Sequence, residues 1–110
     1  MLPKKSRLTK KVEFQSVLKK GKKLHGQFLM LSVAPDFVEE TKAGLVVSNK
    51  VSKKAVERNK IRRVLREVLK EVLPTLKKGT QLIFLAKPSA GRAQMDDLKK
   101  ESRWLLRKLK

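Results

Sequence analysis

The chain has 110 residues, the length of one ordinary domain, and its 29 Lys and Arg against 10 Asp and Glu give a formal net charge of +19. Hydrophobic residues make up 40 %, enough for a single core, and the absence of cysteine excludes disulfides and thiolate metal sites. Self-repulsion on that scale destabilises a compact state unless a polyanion neutralises it, which places nucleic acid ahead of an anionic membrane or an acidic protein as partner.

Residues 1–9 are basic, lack periodicity and read as a flexible or extended arm. No apolar h-region follows Met1–Lys5, and no apolar run approaches the roughly 20 residues of a membrane span, so a cytoplasmic protein without a membrane segment is expected. The spacing of Phe14, Val17 and Leu18 predicts a helix from Thr9 to Lys20, capped by Thr9 and stopped at Gly21. The apolar run Phe28-Leu29-Met30-Leu31-Ser32-Val33 predicts a buried strand over Gln27 to Ala34, ended by Pro35. Asp36 to Lys42 is a polar connection whose carboxylates, Asp36, Glu39 and Glu40, read as a solvated turn rather than a metal site. Ala43 to Lys50 is the second predicted strand. A long helix runs from about Lys53 to Leu73, with Ser52 or a neighbour as cap and Pro74 beyond its end. Gln81 to Lys87 is a third strand, and Gln94 to Leu109 a last helix with Met95, Leu98, Leu105, Leu106 and Leu109 inward and Trp104 at the core edge.

The order helix, strand, strand, helix, strand, helix makes residues 1–110 one α/β domain. It is expected to be an α+β two-layer sandwich, a small sheet with helices mainly on one face.

Projected at about 100° per residue, Ile61, Val64, Leu65, Val68, Leu69 and Val72 of the long helix gather on one face. Beside them lie Arg62, Arg66, Asn59, Lys70 and Arg63 in angular order, with no acid among them. Glu57, Lys60, Glu67 and Glu71 occupy the remaining, mixed-sign side. A merely solvated helix intersperses its signs to form pairs four residues apart, so a purely cationic stripe points to an external anion. Arginine offers a planar fork of donors matched to phosphate oxygens, and Asn59 adds a donor and an acceptor.

No catalytic or metal-ligating set is expected. His25 is the lone histidine, and no phosphate-cradling glycine loop, dinucleotide fingerprint or paired-histidine zinc motif occurs.

The segment Lys54-Ala55-Val56-Glu57-Arg58-Asn59-Lys60-Ile61-Arg62-Arg63 resembles the signature of the bacterial ribonuclease P protein subunit family, written around an Arg-Asn-Arg core. Arg7-Leu8 with Glu13-Phe14-Gln15, Gly44-Leu45-Val46-Val47-Ser48 with Lys50, and Ile83-Phe84-Leu85-Ala86-Lys87 resemble its flanking segments. The resemblance implies a ribosomal-protein-like domain with a left-handed βαβ crossover around the signature helix. It implies a protein cofactor of a catalytic RNA that removes the 5′ leader of precursor tRNA by hydrolysis, with Mg2+ held mainly by the RNA. The implied partners are ribonuclease P RNA and precursor tRNA, with the protein a monomer in a 1:1 complex. By the same resemblance Lys54, Arg58, Asn59, Lys60, Arg62, Arg63 and Arg66 face the RNA subunit. Phe14, Leu18, Leu31, Lys50 and Lys87 line a leader-binding cleft between the sheet and the first helix. Phe14 reads equally well as core. Lys60 departs from the signature, keeping charge but losing the bidentate fork, and Leu18 and Leu31 stand where aromatics are frequent. The alternative reading is a ribosomal or RNA-chaperone protein, which rests on charge alone.

Overall fold

The structure, a computed structural model, describes residues 11–34 and 41–109. The predicted arm over residues 1–9, the Thr9 cap and the carboxylates Asp36, Glu39 and Glu40 lie outside the described residues.

Helix α1 (Lys11–Lys20) is followed by strands β1 (Lys22–His25), β2 (Leu29–Val33) and β3 (Lys42–Val46), helix α2 (Ala55–Val72), strand β4 (Gln81–Ala86) and helix α3 (Met95–Arg107). The strands form one sheet in the order β1-β2-β4-β3. Strands β1, β2 and β4 pair antiparallel, and β3 pairs parallel with β4, so α2 is the crossover of a βαβ unit. Strand β1 was not expected, because Lys22-Lys23-Leu24-His25 has one apolar residue and no apolar run. It is an edge strand, and lysines on an edge discourage pairing with another chain.

Alternation along the strands divides the core. Leu29 and Leu31 of β2, Ala43 of β3, and Leu82 and Phe84 of β4 are buried beneath Ile61, Leu65 and Leu69 of α2 and Leu98, Leu105 and Leu106 of α3. On the opposite face Val17 of α1 and Ile83 are buried, with Phe14, Leu18, Val46 and Leu85 packed around them. Two helices therefore cover one face and α1 covers part of the other. Leu31 is thus misplaced in the predicted cleft. It is 0 % exposed, on the α2–α3 side, and the period of two along β2 turns Met30 and Ser32 towards α1 instead. Ser32 is the one buried polar residue of that strand. Its hydroxyl donates to the Val17 carbonyl at 2.7 Å, an oxygen in the last turn of α1 that also accepts from the Gly21 N–H at 2.9 Å.

Helix α2 starts differently from expectation. Its N-cap is Lys54, which makes no side-chain cap. Ser52 acts from outside the helix: its Oγ accepts from the Lys54 N–H at 3.2 Å and donates to Glu57 Oε2 at 2.6 Å. Pro74 opens a 3-10 turn over Leu73–Thr75 that ends the helix, as a residue unable to donate into the preceding turn must. Helix α3 docks beside α2 through Lys99–Glu67 at 3.5 Å and Arg103–Glu71 at 3.2 Å. These pairs are largely exposed and contribute at most about 1 kcal/mol each, but they show which way the acids of α2 turn.

One contact ties α3 to the other end of the chain. The Glu101 carboxylate accepts from the backbone N–H groups of Gln27, Phe28 and Leu29 at 2.6, 2.8 and 2.7 Å. It comes so close that a Cβ on Gly26 would sit 2.5 Å from Glu101 Cδ. The turn between β1 and β2 is in effect bound to α3 as an anion-binding loop binds its anion.

Candidate nucleic-acid interface

The apolar stripe of α2 lies on the sheet and its acids are drawn aside: Glu67 and Glu71 pair with α3, and Glu57 accepts from Ser52. Removing the acids to one flank leaves the other flank cationic. There Asn59, Arg63, Arg66 and Lys70 line a shallow groove of about 390 Å³, with Glu67 on its far wall. Among the described residues no carboxylate forms an ion pair with Arg63, Arg66 or Lys70.

The signature residues divide into three groups. Arg58 and Arg62 are turned partly inward. Arg58 Nη1 donates to the Ser52 carbonyl at 2.9 Å, and Arg62 donates to Asn59 Oδ1 at 2.8 Å and to the Val47 carbonyl at 3.2 Å. They brace the segment between β3 and α2 and orient the Asn59 amide. Asn59, Arg63 and Arg66 open into the groove, and Lys70, which the helix projection places among them, joins them. Lys54 and Lys60 are exposed but lie outside the groove, Lys54 at the cap and Lys60 round towards the mixed-sign side.

The second predicted site, between α1 and the sheet, is organised in two rows across the strands. Gly44, Ile83, Ser32 and Lys23 are paired neighbours and form the row beneath α1. Phe14 packs directly over Gly44, and Lys23 Nζ donates to the carbonyls of Leu18 and, at 3.0 Å, Gly21. The next row, Val46, Leu85, Met30 and His25, is partly open to solvent, and its Val46 and Leu85 pack in the same cluster as Phe14 and Leu18. Met30 and Leu85 were missed in the sequence because both sit in continuous apolar runs, where alternation cannot be seen. Lys50 and Lys87 lie past the carboxyl ends of the parallel pair, at this open end. Lys50 is exposed, whereas Lys87 Nζ is already spent on the Gly26 carbonyl at 2.7 Å.

Phe14 needs the missing side chain beneath it. A Cβ on Gly44 would fall 2.7 Å from Phe14 Cε2, so Gly44→Ala is expected to lift the ring and cost about 1–3 kcal/mol, the usual range for overpacking. Urea unfolding of the variant measures it; an unchanged midpoint would show that Phe14 does not rest there.

The described residues contain no group of three or more His, Asp or Glu placed to hold a metal ion, and no helix long and apolar enough to cross a membrane. The family model Ribonuclease P matches residues 2–110. The chain belongs to the ribonuclease P protein family. A ribonuclease P protein component from a Synechococcus strain is 39 % identical over 112 residues, covering 98 % of this chain and 89 % of its own. One from a Pseudanabaena strain is 35 % identical over 111 residues, covering 100 % and 96 %. The structure of the Staphylococcus aureus RNase P protein matches with a TM-score of 0.83 at 25 % identity, over 96 % of this chain and 95 % of that one. Membership in the ribonuclease P protein family implies a role in 5′ processing of tRNA and an RNA partner, ribonuclease P RNA. The reading as a ribosomal or chaperone protein, which rested on charge alone, gives way to it.

Proposed function

We propose that this protein binds the catalytic RNA of ribonuclease P along the α2 groove and the 5′ leader of precursor tRNA in the cleft beside α1. In this reading it is a cytoplasmic protein that acts as one monomer per RNA. The RNA carries out the endonucleolytic hydrolysis, and Mg2+ is held mainly by the RNA. The protein's own work is positioning. Arg63, Arg66 and Lys70 neutralise phosphates, Asn59 adds a directed donor and acceptor, and Arg58 and Arg62 fix the segment that carries them. The carrying observation is the sorting of charge on α2: its acids are paired with α3 or hydrogen-bonded to Ser52, while Arg63, Arg66 and Lys70 line a groove without an ion-pair partner among the described residues.

Reconstitution tests this. Mixed with a bacterial ribonuclease P RNA at low Mg2+, the protein is expected to stimulate removal of the leader, and no stimulation would sink the proposal. Arg63→Ala and Arg66→Ala are each expected to weaken RNA binding and to reduce the slope of log affinity against log salt by about one unit. Slopes equal to that of the unmodified protein would move the RNA to another face.

A further inference from the structure

Trp104 is the sole tryptophan, and it faces away from the core of α3. It was expected at the core edge, yet it is 47 % exposed, and among the described residues only Val56 is another exposed large hydrophobic side chain. The helical projection explains the exposure: Leu98, Ser102, Leu105 and Leu106 are buried on one side, and position 104 falls opposite them.

The indole forms one wall of an open hollow of about 570 Å³ whose other walls include Phe28, Lys100 and Arg107. Lys100 and Arg107 stand one turn before and one turn after Trp104 on the same helix face. Neither forms an ion pair with a described residue. Glu101, which also lines the hollow, spends its carboxylate on three backbone N–H groups, and Arg103 is held by Glu71. Asp97 is the remaining acid, and it sits in the first turn of α3, where the helix dipole holds negative charge. Lys108 Nζ lies 3.8 Å from the ring centroid but is not part of the hollow.

A flat apolar ring with a cation one turn to either side matches a base with its flanking phosphates. It does not match a duplex, whose base faces are stacked. We propose that the Trp104 hollow is a second RNA contact that takes one unpaired nucleotide, its base stacked on the indole and its phosphates on Lys100 and Arg107. The hollow lies on the solvent side of α3 and shares no lining residue with the α2 groove, so the two contacts are separate. The proposal rests on the preceding reading only in taking RNA as the partner.

Because Trp104 is the only tryptophan, its emission reports this site alone. Titration of the full chain with a short oligouridine is expected to quench that emission saturably. The double variant Lys100→Ala/Arg107→Ala should need several-fold more oligonucleotide, while Arg63→Ala/Arg66→Ala should still show the quenching. With end-labelled oligouridine, Trp104→Leu should bind roughly five-fold or more weakly, the lower end of what one base–aromatic stack contributes. Absence of quenching, or quenching indifferent to Lys100→Ala/Arg107→Ala, overturns the proposal. So does quenching abolished by Arg63→Ala/Arg66→Ala, which would place the RNA in the α2 groove. A concentration-dependent blue shift of the protein alone would assign the hollow to a second copy and overturn it as well. Stimulation of leader cleavage is scored separately, so either reading can fail while the other stands.

Discussion

Glu101→Ala is expected to lower the midpoint of thermal unfolding by about 10 °C, from a loss of roughly 2–3 kcal/mol. The carboxylate accepts three N–H groups from the turn between β1 and β2, at 2.6 to 2.8 Å. Hydrogen bonds to a charged group are the stronger kind, and truncation leaves the donors of Phe28 and Leu29 partly buried without an acceptor. The Gln27 bond is exposed and water replaces it, so the loss is smaller than three full bonds. Glu101→Gln is expected to fall between, because its amide keeps one accepting oxygen but turns an NH2 group towards a backbone N–H. Circular dichroism melts of the three proteins test the order, and an alanine variant as stable as the parent would show that the turn holds itself. The effect should reach the proposed cleft, because the same turn carries the carbonyl of Gly26 that holds Lys87 and leads into β2, which carries the half-buried Met30.

That tie also marks the limit of what the sequence discloses. Glu101 and Gln27 are 74 residues apart, and nothing in the local pattern of α3 distinguishes a carboxylate bound to a distant turn from an exposed one. Helix α2 was legible because its apolar residues recur at the helical period and its acids fall on one flank, so both its buried face and its cationic groove could be projected. What projection could not supply is the inward turn of Arg58 and Arg62, which depends on carbonyls of Ser52 and Val47 before the helix begins. Strand β1 escaped for the opposite reason: with one apolar residue in four it carries no periodic signal, and only pairing with β2 makes it a strand. Trp104 was drawn towards the core by its apolar character, although its angular position, about 120° from Leu98 and about 100° from Leu105, already set it off the apolar stripe. The resemblance to the ribonuclease P protein family supplied the particular RNA partner and the expectation of a cleft beside α1, which no periodicity could have done.

The two faces of β2 are where a pair of variants should diverge most if the leader binds beside α1. Leu31→Ala is expected to cost about 2–5 kcal/mol, since Leu31 is wholly enclosed between the sheet and the helices α2 and α3. Set against a typical domain stability of about 5–15 kcal/mol, that loss is large, yet it should leave leader recognition intact wherever the protein remains folded. Met30 has the opposite profile. It lies one residue along the strand, half-buried, between His25 and Leu85 on the open row, and its truncation removes little from the core. Met30→Phe should therefore fold normally and bind the leader more tightly, by up to the roughly 1–3 kcal/mol that a base gains from an aromatic partner. The measurement is the difference in affinity between precursor and mature tRNA for the reconstituted enzyme, alongside urea unfolding of the protein alone. If Leu31→Ala weakened leader affinity at full folding, or Met30→Phe left it unchanged, the cleft would have to lie elsewhere. The sign of each effect follows from a single strand residue's parity, because a shift by one position exchanges the two faces of the sheet.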